Sequence, residues 1–225
     1  MKRILVGLTA LMLVTAPSAA RDRELRPLAN PSAVVAAELA FARMARDKGQ
    51  WTAFRETAAK DAEMFVPLRV RAQTWLKGRA DPPVAVTWQP HEVWSSCDGS
   101  YAVTRGAWQR PGEVGYFTTV WQRQKNGGYK WVLDQGDSLR EAAPVPEMIS
   151  AEIADCAPVT SGSAAASARI VDGTLDEKTG RSRDNTLEWT MTVQPDGARN
   201  FSVQMWQGGE MKDVIISEVA APQPR

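Results

Sequence analysis

Histidine occurs once in this 225-residue chain, at His91, and cysteine twice, at Cys97 and Cys156. So small a supply of imidazole and thiolate excludes a conventional zinc site, and no metal or other cofactor is expected. A serine hydrolase would have to recruit His91 with Ser95 or Ser96, and residues four or five apart along one strand stand roughly 13–17 Å apart. That separation is beyond proton-transfer reach. The chain has no G-x-S-x-G elbow and no phosphate-cradling glycine motif. An excess of one charge is missing too, with 27 basic against 26 acidic residues, so no field draws the chain to nucleic acid or anionic lipid. The longest apolar run, Ile4 to Val14, is about eleven residues where a spanning helix needs roughly 20. Membrane insertion is not expected.

Lys2 and Arg3, that apolar run and Ala16-Pro17-Ser18-Ala19-Ala20 form the three zones of a cleavable secretory signal. They predict a cut after Ala20 and a periplasmic or secreted product. Neither cysteine stands at the cleavage point, so no acyl anchor is expected. Loss of Lys2 and Arg3 takes the 27 basic residues to 25 against 26 acidic ones, a net charge near −1. About 205 residues remain, enough for one sizeable domain and a smaller one. Nine tryptophans and 44% hydrophobic residues supply a core and argue against a disordered chain. In an oxidising compartment two cysteines read as one bridge, Cys97 to Cys156. Closing a loop of that length stabilises a fold by roughly 4 kcal/mol in the chain-entropy account.

Residues 21–30 are a polar, unpatterned tether. Asn30 then offers a capping oxygen and Pro31 suits a first helical position. A helix follows with Val34, Ala37, Phe41, Met44 and Ala45 on one face, stopped by Gly49. A second helix over Trp51 to Ala59 turns Trp51, Phe54 and Ala58 to one side. Glu63 to Val66 reads as a short edge strand ended by Pro67, and Val70 to Lys77 as a short helix carrying Trp75. From Val84 the period switches to two. Strands are expected over Val84 to Cys97 (interrupted at Pro90), Tyr101 to Gln109, Gly115 to Gln124 and Tyr129 to Gln135, with Asp98-Gly99, Pro111-Gly112 and Asn126-Gly127-Gly128 as turns. Pro144 and Pro146 break the pattern, Met148 to Asp155 can form one more strand, and Pro158 to Ala168 is a Ser/Ala/Gly-rich linker. Thr186 to Gln194, Asn200 to Gln207 and Asp213 to Val219 predict a three-stranded sheet. Three short strands are marginal alone and should dock on the rest.

Helix, helix, strand, helix and a four-stranded meander, with Ala36-Ala37-Glu38-Leu39-Ala40-Phe41, Lys60 to Pro67, Gly115 to Gln124 and Tyr129 to Asp134 as matching segments, resembles the NTF2-like superfamily over about residues 31–137. That superfamily includes ketosteroid isomerases, SnoaL-like cyclases and DUF4440 proteins. The resemblance implies an α+β, cystatin-like cone, helices packed on a curved antiparallel sheet, here followed by a small β-meander. The expected layout is a signal peptide (1–20), a linker (21–30), an NTF2-like domain (31–143), a second linker (144–168) and a β-rich extension (169–225). The resemblance also implies a homodimer through the open sheet face, unless the extension occupies that face instead.

Fold does not fix activity, and the departures bear on chemistry. Family isomerases carry a general-base carboxylate just before the proline that follows the first strand. That position here holds Val66, which cannot take a proton. Their oxyanion-stabilising tyrosine in the first helix has no counterpart, and Leu133-Asp134-Gln135 lacks the histidines that end the last strand in many DUF4440 members. Asp134 and His91 remain as candidates for a catalytic base. Asp61 is expected to cap or end the second helix, and Asp137 to be solvated. Strand alternation sets Asp134 opposite Leu133, and puts Trp131 on the face of Tyr129 and Leu133. Phe65, Trp75, Phe117, Trp121 and Trp131 are candidates to line a pocket. Together with Trp88, Trp94 and Trp108, the tryptophans either form a stacking wall for a flat ligand or pack between sheet and helices. The expectation is an exported module that binds a small apolar ligand or serves an accessory role. The alternatives are a cofactor-independent lyase, isomerase or cyclase, and a structural envelope protein whose extension meets a partner.

Overall fold

The structure is a computed structural model that describes residues 28–156, 167–171 and 175–223; of 167–171 and Leu175 only the backbone is described. The expected signal peptide, its cut site and most of the tether lie outside the described residues, as does most of the 158–168 linker.

Helix α1 (Pro31–Lys48) begins as the residues require: the Asn30 side chain accepts from the Ala33 N–H at 3.2 Å and proline occupies the first turn. Its buried stripe is Val34, Glu38, Phe41 and Ala45. Gly49 ends it at φ +110°, and a Cβ there would meet the Asp81 carboxyl at 2.3 Å. That carboxyl accepts from the Thr52 N–H at 2.9 Å and its hydroxyl at 2.7 Å, fixing the start of helix α2 (Gln50–Thr57). The second helix stops at Thr57, short of the expected Ala59, and β1 (Ala58–Phe65) is longer than expected. Asp61 is an exposed residue within β1 and not a helix cap. After the cis Val66–Pro67 bond, β2 (Arg69–Arg71) pairs back on β1, so the strand that ends at Pro67 is not an edge. Helix α3 (Ala72–Leu76) follows.

The meander is β3 (Thr87–Ser95), β4 (Tyr101–Arg110), β5 (Glu113–Arg123) and β6 (Tyr129–Leu139). With β7 (Ser150–Ile153) parallel to β3, it completes a seven-stranded sheet in the order β2-β1-β6-β5-β4-β3-β7. The expected element order is present, and the fold is α+β, with helices on a curved sheet and a second, smaller sheet.

That second sheet has five strands, not three: β8 (Ser167–Val171), β9 (Leu175–Arg181), β10 (Leu187–Val193), β11 (Arg199–Gln207) and β12 (Glu210–Val219), in the order β12-β11-β10-β9-β8. The two extra strands lack strong alternation: β9 reads Leu-Asp-Glu-Lys-Thr-Gly-Arg, and its pairing with β10 on one side and β8 on the other makes it a strand. One face of the sheet is apolar. Leu187, Trp189 and Met191 pair with Met205, Val203 and Phe201, all buried. They join the core that holds Tyr101, Val103, Val120 and Leu133 from the face of the large sheet opposite α1. Each such apolar side chain withdrawn from water is worth about 1.5–3 kcal/mol.

Polar contacts fix the docking. Cys97 N–H donates to Thr186 Oγ1 at 2.9 Å, Asp98 N–H to Asp184 Oδ2 at 2.8 Å, and Tyr116 Oη and Ser217 Oγ lie 2.8 Å apart. Lys178 Nζ sits 3.4 Å from Glu63, and Arg69 pairs with Asp176. Cys97 and Cys156 are bonded, with Cα atoms 5.2 Å apart, which ties the end of β3 to the root of the extension.

Candidate functional site

The helix-side face of β3, β4 and β5 carries Trp88, Thr104 and Trp121, and all three point at Glu38 of α1. Trp88 Nε1 donates to its carboxyl at 2.7 Å, Thr104 Oγ1 at 2.6 Å and Trp121 Nε1 at 3.0 Å. Burying a carboxyl costs several kcal/mol unless its oxygens are satisfied, and three donors supply that satisfaction. Burial pushes the Glu38 pKa up, against the pull of the three hydrogen bonds. Glu38 escaped the sequence reading, yet it had a signal: it falls on the apolar stripe of α1, between Val34 and Phe41, where a carboxyl has no reason to be unless it is partnered.

Asp134 belongs to the same face. Strand parity alone puts Asp134 and Trp131 on opposite faces, and the structure corrects this. Trp131 pairs with Trp121 and Leu133 with Val120, so Val132 is an extra residue in β6, a β-bulge. The bulge turns Trp131 and Asp134 to the helix side together and leaves Leu133 on the other face. Asp134 then pairs with Thr119 and accepts from its hydroxyl at 2.8 Å. Burial raises its pKa to about 7, Thr119 pulls it down, and the nearby Glu38 adds to the rise. A carboxyl that titrates near neutrality and still touches solvent is suited to accept or donate a proton.

Above Asp134 opens a cleft of about 590 Å³ between the helices, the sheet and the end of the extension, within the usual range for small-molecule sites. Trp51, Phe54, Trp75 and Trp88 form one wall, and Phe65, Val66 and Phe117 another. Trp108 lies over Gly115, where a Cβ would meet its ring at 2.3 Å. Phe65, Trp75 and Phe117, proposed from sequence, thus line the cleft. Trp121 and Trp131 do not: both are fully buried, Trp131 stacks on Phe41 with ring centroids 6.5 Å apart, and its Nε1 donates to Thr57 at 2.9 Å. They are too far down the cone and support its floor. Val66 presents only its apolar side chain to the cleft.

His91 is elsewhere. It is the unpaired residue of a bulge between Pro90 and Glu92 and lines a separate depression with Arg105, Ser217 and Glu218. It is not brought to Asp134. Asp137 is exposed at the mouth of the main cleft, with Oδ1 accepting from the Ser138 N–H at 2.8 Å. Among the described residues no group of three or more His, Cys, Asp or Glu is placed to hold a metal ion, and no helix is long and apolar enough to cross a membrane.

The wall nearest Asp137 was not anticipated, because the extension builds it. Arg199, Val219, Ala220 and Pro222 all reach the cleft. Arg199 donates to the Gly136 carbonyl at 2.5 Å, and its guanidinium carbon sits 4.3 Å from the centre of the Phe65 ring.

The fold is α+β, helices on a curved sheet with a cleft between them, and the chain is similar at low identity to several solved structures. One is a candidate ketosteroid isomerase from Parabacteroides distasonis, at 14% identity over 51% of this chain and 97% of that one, with a TM-score of 0.39. Another is an NTF2-like protein of unknown function from Silicibacter pomeroyi, at 16% identity over 49% of this chain and 99% of its own, with a TM-score of 0.37. A protein of unknown function with a cystatin-like fold from Methylobium petroleophilum matches at 9% identity over 55% and 86%, also with a TM-score of 0.37. No family model matches the sequence, and no curated protein matches it.

Proposed function

We propose that this is an exported pocket protein that binds a flat, mostly apolar small molecule, and that Asp134 moves a proton on that molecule in a cofactor-independent isomerase, lyase or cyclase type of reaction. One observation carries the reading: a carboxyl with a pKa of about 7 at the floor of an aromatic cleft. The aromatic walls supply area for a planar ligand. Exchange between the two protonation states at Asp134 requires no metal. Export rests on the charged, apolar and small-residue zones of the leader, with the disulfide in accord.

A panel of neutral bicyclic ketones such as 2-tetralone, incubated with the protein in D₂O, tests it. Proton abstraction next to the carbonyl appears by NMR as deuterium incorporation. The native protein should accelerate exchange, and Asp134→Asn should lose about 10²-fold or more of that acceleration. A second reading, a binder without turnover, is favoured by Val66 standing where the family's base would be. Ketones that bind by calorimetry without exchange would select that reading, and ketones that do not bind at all would reject both.

A further inference from the structure

Arg199 is the first residue of β11 and only 5% exposed, yet it has no acid to answer it. Among the described residues no carboxylate lies within 4.0 Å of its nitrogens. Its Nε is buried without a hydrogen-bond partner. A desolvated cation is costly unless it is paired, and the Gly136 carbonyl and Phe65 ring answer only part of that cost. Asp137 and Tyr116 influence it electrostatically, but Asp137 is exposed and holds the Ser138 N–H instead. Guanidinium stays protonated and presents its donors in a planar fork matched to carboxylate geometry.

The position of this fork is set by the strands. The β1–β6 pairing ends at Met64 and Asp134, so the Gly136 carbonyl is left to accept from an incoming side chain, and Arg199 reaches it from the second sheet. Asp134 and Gly136 are two residues apart, about 7 Å along a strand. The Arg199 cation and the Asp134 carboxyl therefore line the same cleft, anchored on β6 at points about that far apart.

We propose that the ligand is a small aromatic or alicyclic carboxylate, its charged end held by Arg199 and its ring system lying along the aromatic walls toward Asp134. This rests on the small-ligand reading of the cleft given above. It makes the extension part of the binding site as well as a cover for the sheet.

Calorimetric titration with naphthalene-2-carboxylate and naphthalene-2-carboxamide tests the proposal. The pair has the same rings and differs in charge. The native protein should bind the acid about ten- to a hundredfold more tightly than the amide, the range of a charge-assisted hydrogen bond pair. Arg199→Gln should abolish that preference, and Arg199→Lys should restore part of it, with near-ultraviolet circular dichroism reporting the fold of each variant. Equal native affinity for the two probes would overturn the anion proposal and leave the apolar cleft intact, and this comparison does not depend on any variant folding. Binding of neither probe would overturn both.

Discussion

Asp134→Asn isolates the most unusual charge in the molecule. The side chain keeps its shape, still accepts from Thr119, and can no longer ionise. In the native protein the folded pKa is about 7 against ~3.9 in an unfolded chain, so between those values the folded state holds more protons than the unfolded one. Stability must then fall as pH rises through that window and level off above it. Three units at ~1.4 kcal/mol each give a loss of about 4 kcal/mol from this group, absent below pH 4 and complete above pH 7. Glu38 is raised as well, but it titrates in both proteins and largely cancels in their difference. Urea unfolding of native and Asp134→Asn protein at pH 4.5, 6 and 8 should therefore diverge. The variant should lie within about 1 kcal/mol of the native protein at pH 4.5 and exceed it by several kcal/mol at pH 8. Parallel stability curves would refute the argument, because they would mean that Asp134 is hydrated in the folded state as it is in the unfolded one.

Glu38→Ala strands the Trp88, Thr104 and Trp121 donors in a dry core and should cost about 3–5 kcal/mol by urea unfolding, whereas Glu38→Gln, which keeps one acceptor, should cost less. Reduction of the Cys97–Cys156 bond should lower stability by about 2–5 kcal/mol, seen as a drop in Tm with reductant and no shift in a double Cys→Ser variant. Removing residues 158–225 uncovers Tyr101, Val103, Val120 and Leu133, so the shortened chain should self-associate in sedimentation while the intact chain runs as a monomer. A well-behaved truncated monomer would show that the face does not need cover.

Local chemistry made the helices and the meander legible. Asn30, Pro31 and Gly49 punctuate α1, and paired turn residues separate strands whose alternation is strong. What escaped depends on register or on distant chain. β9 has no apolar alternation of its own and becomes a strand by pairing with β10, and β2 is three residues long. The disulfide was legible because two cysteines allow only one intramolecular pairing.

The cleft illustrates the same limit at higher stakes. A period-two pattern holds only while each residue of one strand opposes one of the next. The bulge at Val132 breaks that count once, and every residue beyond it changes face. With regular pairing Leu133 would press on the helices and Asp134 would lie against the extension, away from Thr119. With the bulge, Leu133 serves the core between the sheets and Asp134 serves the cleft. Nothing in Trp131-Val132-Leu133-Asp134 marks the extra residue, since three of the four are apolar and either face would accept them. The carboxyl was the one residue in that stretch with a strong preference, and its preference depends on Thr119 and Glu38, which lie 15 and 96 positions away in the chain. The position of the one cleft group with a near-neutral pKa was thus decided by a single inserted residue, and the cation proposed to hold the ligand came from a strand that begins 65 residues further on.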